Sequence, residues 1–131
     1  MKIARNLLFV FACVTAALSV LTAAYVAHQA GLDEAALRSL QSALQLQQFH
    51  ALALLLTVWA APEHVSRSRL LAAVGFVTGL LCFSFNIELR HLAGVEWFRP
   101  LTPYGGMAFV LGWLALAVSI CTEKTNSGMP K

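Results

Sequence analysis

Charge is scarce in this chain, and the scarcity decides its class. Asp, Glu, Lys and Arg make up 11% of its 131 residues, while 59% are hydrophobic and the mean hydropathy is +0.72. Soluble domains carry roughly 25% charged residues, because a small globule has a large surface to cover with polar groups. A chain this poor in charge takes lipid as its main solvent, which excludes a disordered chain and a soluble enzyme with a water-facing shell. Cysteine is also scarce. Cys13, Cys82 and Cys121 show no CxxC spacing and each lies in or at the end of an apolar run, so a disulfide framework is excluded and packing accounts for them. A basic stripe is missing as well: nine Lys and Arg give a net charge of +3 and a pI near 9.0, but they are scattered between apolar runs, and nucleic acid is not expected as a partner. There is no internal repeat, no nucleophile with a base partner, no phosphate loop, no carboxylate pair and no HxxxH spacing. No enzyme activity, metal or cofactor is therefore expected.

What is present is a series of apolar runs. Residues 7–27 contain no charged residue, a run of 21, against the ~20 needed to cross a hydrocarbon core ~30 Å thick. Lys2 and Arg5 precede it, so a cleavable signal peptide is the competing reading. The run exceeds the roughly 7 to 15 residues of a signal h-region and reads as an uncleaved first helix. Gly31 suits a helix C-terminus, and Asp33 with Glu34 suit the positive end of a second helix dipole. That helix can continue to Ala61, where Pro62 stops it. Its ~42 Å, at ~1.5 Å per residue, exceeds the bilayer core, so its first part is expected to be an amphipathic extension that lies in the interface, lines a polar seam or bends away as a separate helix.

Serines in the next polar loop suit the cap of a third helix, which ends in Glu88-Leu89-Arg90-His91. Trp97 and Phe98 follow as interfacial anchors. Thr102 as N-cap and Pro103 at the first helical position start a fourth helix that ends near Cys121. The expectation is one all-α domain, residues 1–131: a polytopic membrane protein with four transmembrane helices in a bundle, at about 7–28, 34–61, 70–88 and 103–121, and a polar tail at 122–131. With both termini on one side, that side holds Lys2, Arg5, Arg67, Arg69, Lys124 and Lys131, against Arg38, Arg90 and Arg99 opposite. The excess predicts a multi-pass inner-membrane protein with cytoplasmic termini. The outer loops then hold Asp33, Glu34, Glu88 and Glu96.

Polar residues inside apolar helices are the candidate functional positions. In helix two, Arg38, Gln41, Gln45 and Gln48 fall three, four and three apart, on one face, with Gln47 and His50 on another flank and Thr57 further along. Glutamine is costly against acyl chains, so these groups are expected to meet protein, water or headgroups. They serve either as interhelical hydrogen-bonding groups or as the lining of a proton or solute path. Helix three carries Gly75, Gly79, Cys82 and Asn86, and helix four Ala108, Gly112, Ala115 and Ser119, two small-residue stripes suited to close packing within the chain or across an oligomer interface. His28, His50 and His91 fall on one side of this topology, with Glu88 and Glu96 nearby, which leaves a metal or haem site as a further alternative.

Several segments together resemble the small membrane proteins of the domain of unknown function 423 family, which are similar to transmembrane protein 256. They are Ala24-Tyr25-Val26-Ala27-His28, the stretch Gln41-Ser42-Ala43-Leu44-Gln45-Leu46-Gln47-Gln48-Phe49-His50-Ala51-Leu52-Ala53-Leu54 with its QxxHALAL-like part, Gly79-Leu80-Leu81-Cys82-Phe83-Ser84, and Leu101-Thr102-Pro103-Tyr104-Gly105-Gly106 with Leu111-Gly112-Trp113. Ala23 and Val26 stand where the family pattern has glycines, and Phe85, Asn86 and Glu88 depart from it after Phe83-Ser84. The resemblance implies a four-helix inner-membrane protein with His28, Gln41, Gln45, Gln47 and His50 at family positions, and Gly105 and Gly106 join the packing set. It implies no activity. The function expected is that of a non-enzymatic accessory or self-associating membrane subunit, whose partners are the lipid bilayer and either itself or a larger membrane-protein complex. A small transporter or conduit along the Gln and His face is the alternative, and a metal- or haem-binding subunit the second.

Overall fold

Local signals set the ends of the helices. Asp33 is extended (φ −69°, ψ 162°) and its carboxylate accepts from the Ala36 N–H at 2.7 Å, which starts one helix. Ser66 does the same for the Arg69 N–H at 3.2 Å. Such caps satisfy backbone donors that have no partner inside the helix. In the computed structural model, which describes residues 2–29, 31–60 and 66–127, the elements are α1 (Lys2–Ala27), α2 (Glu34–Trp59), α3 (Arg67–Gly79), a π-helical segment (Leu80–Phe85), α4 (Asn86–Ala93), a 3-10 turn (Arg99–Leu101) and α5 (Thr102–Ser127). The run from α3 through the π segment to α4 is one uninterrupted rod, so the described chain is an all-α bundle of four helices.

The boundaries differ from the sequence reading in ways that have physical causes. The third rod begins at Arg67 rather than near residue 70 and reaches Ala93 rather than 88. Gly94, at φ 69°, ends it in the left-handed conformation that favours glycine, with Arg90 and His91 in the last turn at the negative end of the dipole. Glu88 is therefore a helical residue, 8% exposed, and not a loop acid. Gly31 is no such cap: α1 ends earlier, in turn bonds from His28 N–H to Tyr25 O and Gln29 N–H to Val26 O. Thr102 lies inside the last helix instead of capping it, because the 3-10 turn holding Pro100 leads directly into α5, which continues six residues past Cys121. The expected stop at Pro62 and the last four residues of the tail lie outside the described residues.

α1 packs along α2 and α3 along α5, and the π segment touches both α5 and α2. The two small-residue stripes meet inside one chain. A Cβ on Gly75 would come within 2.8 Å of Gly112 Cα and 2.9 Å of Ala108 O, and one on Gly105 within 2.6 Å of Phe83 N. Such spacing brings two backbones together and maximises van der Waals contact where lipid supplies no hydrophobic drive. Gly79 leaves its space to the Phe109 ring, and Gly112 faces Phe76; Gly106 makes only ordinary contact.

Large apolar side chains cover the outside, among them Leu21, Leu56, Leu71, Leu114 and, at the loop end, Trp97, which is 90% exposed. Three stretches, Ile3–Ala27, Arg67–Ala93 and Arg99–Thr122, are long and apolar enough to cross a membrane. α2 is long enough, about 39 Å at ~1.5 Å per residue, but its glutamines and His50 lower its hydropathy. It is one unbroken helix, so the amphipathic extension does not bend away as a separate element.

Candidate functional site

α2 carries its polar residues at two levels and on two faces. Its buried face runs through Leu40, Ala43, Leu44, Gln47, His50, Leu54 and Thr57, the i, i+3, i+4, i+7 spacing of a helix packed on neighbours. His50, 4% exposed, is held completely. Its Nδ1 donates to Leu46 O at 2.7 Å, and its Nε2 accepts from the Trp113 indole N–H at 3.1 Å. A carbonyl only accepts and an indole N–H only donates, so these partners define a neutral imidazole protonated on Nδ1. The ring stacks on Phe109 with centroids 3.6 Å apart, and Phe76 and Trp113 close around it. Trp113, 63 residues away in the chain, was not visible from sequence as its partner.

Further toward the termini, other buried polar groups are satisfied. Thr57 Oγ1 donates to Ala53 O at 2.7 Å, and the nearly buried Arg69 donates from its guanidinium to Thr57 O at 3.3 Å, a cation at the C-terminal end of α2. Arg69 is thus a structural residue of the helix junction as well as a basic residue on the terminal side. At the loop end, the Asn86 amide donates to Cys82 O, Phe98 O and Thr102 Oγ1, tying the third rod to the connecting loop and the start of α5.

Gln47 is different. It is 0% exposed, yet neither its amide nitrogen nor its oxygen has a hydrogen-bond partner. Ser84 Oγ, Glu88 Oε1 and His91 Nε2 are buried in the same condition on the π segment and α4. The sequence signal for Glu88 was an acid within helical reach of an apolar run, a position that is functional by default in membranes.

The opposite face of α2 is open. Arg38, Gln41, Gln45 and Gln48 line a groove of about 530 Å³ whose other wall is the end of α1, Ala23, Val26 and Ala27. All four polar residues are exposed, and Arg38 makes an exposed ion pair with Glu34 at 3.6 Å. His28 is exposed at the end of α1. The six candidate residues of the polar face thus divide: Gln41, Gln45 and Gln48 share the groove, Gln47 and His50 are inside, and His28 is outside. Among the described residues no group of three or more His, Cys, Asp and Glu is placed to hold a metal ion.

Residues 22–106 match the model of a family described as "Protein of unknown function (DUF423)". The chain belongs to that family. It is 26% identical over 113 residues to the UPF0382 inner membrane protein YgdD of Escherichia coli K12, covering 85% of this chain and 86% of that protein. To a UPF0382 membrane protein of Haemophilus influenzae it is 28% identical over 94 residues, covering 72% and 75%. To the UPF0382 membrane protein SAB0533 of Staphylococcus aureus it is 26% identical over 116 residues, covering 87% and 94%. No solved structure matches. The apolar exterior and this membership agree: the chain is a membrane protein of a family without an assigned activity.

Proposed function

We propose that this protein is a non-enzymatic inner-membrane subunit that works by association, with both termini cytoplasmic and all four helices crossing the bilayer. The observation that carries the reading is the open groove between α1 and α2. It presents three glutamine amides and an arginine on a helix otherwise built for a membrane, and an amide left facing hydrocarbon costs several kcal/mol. A second polypeptide, another copy or a different membrane protein, satisfies them. The small-residue stripes are consumed inside the chain, which leaves the groove as the side available to a partner. The excess of Lys and Arg at the terminal side supports the orientation, and the inner-membrane naming of the Escherichia coli relative supports the location.

The test is a photo-crosslinking residue at position 45 in living cells. Adducts to a second polypeptide, lost when Gln41 is replaced by Leu, are the expected outcome; adducts to lipid alone would overturn the reading. A reporter fused after Lys131 that is active only outside the cytoplasm would overturn the orientation. A second reading, a conduit along the Gln and His face, is supported only by Gln47. His50 is closed to it, since both ring nitrogens are already bonded.

A further inference from the structure

Every unpartnered buried polar side-chain atom among the described residues belongs to Gln47, Ser84, Glu88 or His91. These four share one strip of the bundle. Ser84, Glu88 and His91 are four and three residues apart, one face of the third rod. Gln47 lies opposite that face: below it in the chain, Ala43 and Leu44 cluster with Ile87 and Phe83, and above it Leu54 clusters with Phe76 and Leu80. The interval between these two contacts is where Ser84 stands.

The four groups do not behave like the rest of the interior. Of the three fully buried serines among the described residues, Ser19 and Ser119 each donate back to their own helix, to Ala16 O and Leu116 O at 2.7 Å. Ser84, inside the π segment, makes no such bond. π segments occur mostly as single-turn interruptions and often mark functional positions. Gln47 offers two donors and an acceptor, Ser84 a donor and an acceptor, and Glu88 and His91 further sites, a set that water can bridge in a chain. Buried polar groups without protein partners are the usual hosts of internal water.

We infer that Gln47, Ser84, Glu88 and His91 line an internal water-binding seam between α2 and the third rod. It runs from the loop end, where His91 is only partly buried, to the level of Ser84 and Gln47, about 10 Å along the third rod at ~1.5 Å per residue. There it stops, because the next polar group, His50, is sealed by Phe109, Phe76 and Trp113. The bundle thus holds a wet half, entered from the loop end, and a dry half below it. This goes beyond association: the seam is separate from the open groove and stands or falls independently of any partner.

The test is water-edited solid-state NMR on the full chain in vesicles of phosphatidylethanolamine and phosphatidylglycerol. Magnetisation transfer from water to the Gln47 side-chain amide and to Ser84 is expected to build up nearly as fast as at Asp33 and severalfold faster than at Leu54. Build-up as slow as at Leu54 would overturn the proposal without recourse to any variant. In Gln47→Leu, transfer to Ser84 is expected to slow severalfold while that to Trp113 stays unchanged. An unchanged rate at Ser84 in that variant would also count against a shared seam.

Discussion

His50 and Gln47 are three residues apart on the same buried face of α2, and they sit in opposite situations. His50 has a partner for each nitrogen and an aromatic ring against its face. Gln47 is more deeply buried and has no partner at all. The difference separates two regions of one bundle. From His50 toward the termini, buried polar atoms are bonded to their own or adjacent helices. Toward the loops Asn86 is bonded, but Gln47, Ser84, Glu88 and His91 line a strip, and three glutamines a groove, that the chain itself leaves incomplete. A buried polar residue is thus no functional signal by itself. An unsatisfied one is, because leaving a buried donor or acceptor unpaired costs about 1 to 3 kcal/mol.

The largest losses are expected where backbones touch. Gly75→Leu and Gly112→Leu should lower stability by about 3 kcal/mol or more, since overpacking costs that much even where side chains can move and here the obstacles include backbone atoms. Gly106→Ala, which meets only ordinary contacts, should be nearly silent. Thermal unfolding in mild detergent separates the two, and equal melting temperatures for Gly75→Leu and wild type would show that α3 and α5 do not meet as described. His50→Ala comes next, at about 2 to 4 kcal/mol, because it removes a packed ring and leaves the Trp113 indole unpaired. Its effect should appear as lost stability with no change in the crosslinking at position 45.

Trp113→Phe removes the hydrogen bond to His50 while keeping an aromatic ring in the cluster. With the buried His50 acceptor left unpaired, a loss of about 1 to 3 kcal/mol is expected, measured by unfolding in detergent of the single variant. A loss above about 3 kcal/mol would mean the indole does more than its one bond shows. The smallest effect belongs to the open face: Gln45→Leu should leave stability within about 0.5 kcal/mol, as for surface substitutions generally, while reducing association. A large destabilisation there would place Gln45 inside the fold.

The sequence made legible what depends on neighbouring residues. Asp33 before Glu34 marked the start of α2, because capping acts over three residues. The four apolar runs and the lipid-facing surface followed from charge scarcity. The glycine stripes could be read as stripes, but nothing local said whether they would meet within one chain. Glu88 looked like a loop residue, since it opens a stretch with three ionisable residues in four, Glu88-Leu89-Arg90-His91. Tertiary contact with α2 kept that stretch helical, through Ile87 packed among Leu40, Ala43 and Leu44. The His50–Trp113 bond joins residues from separate helices, and the π segment has no compositional mark, so neither could be read from spacing. The division of the Gln and His residues between an inner and an outer face was implicit in the helical period, but the burial of the inner face came only with the neighbours.

Cysteine reactivity along α2 tests the division between its open face and its sealed face most directly. With Cys13, Cys82 and Cys121 replaced, single cysteines at positions 41, 45, 50, 54 and 57 of the purified protein in lipid nanodiscs would be exposed to a membrane-impermeant maleimide. Reaction is expected at 41 and 45 at rates near that of a cysteine at position 33, and none at 50, 54 or 57. Equal rates at 45 and 54 would contradict that division.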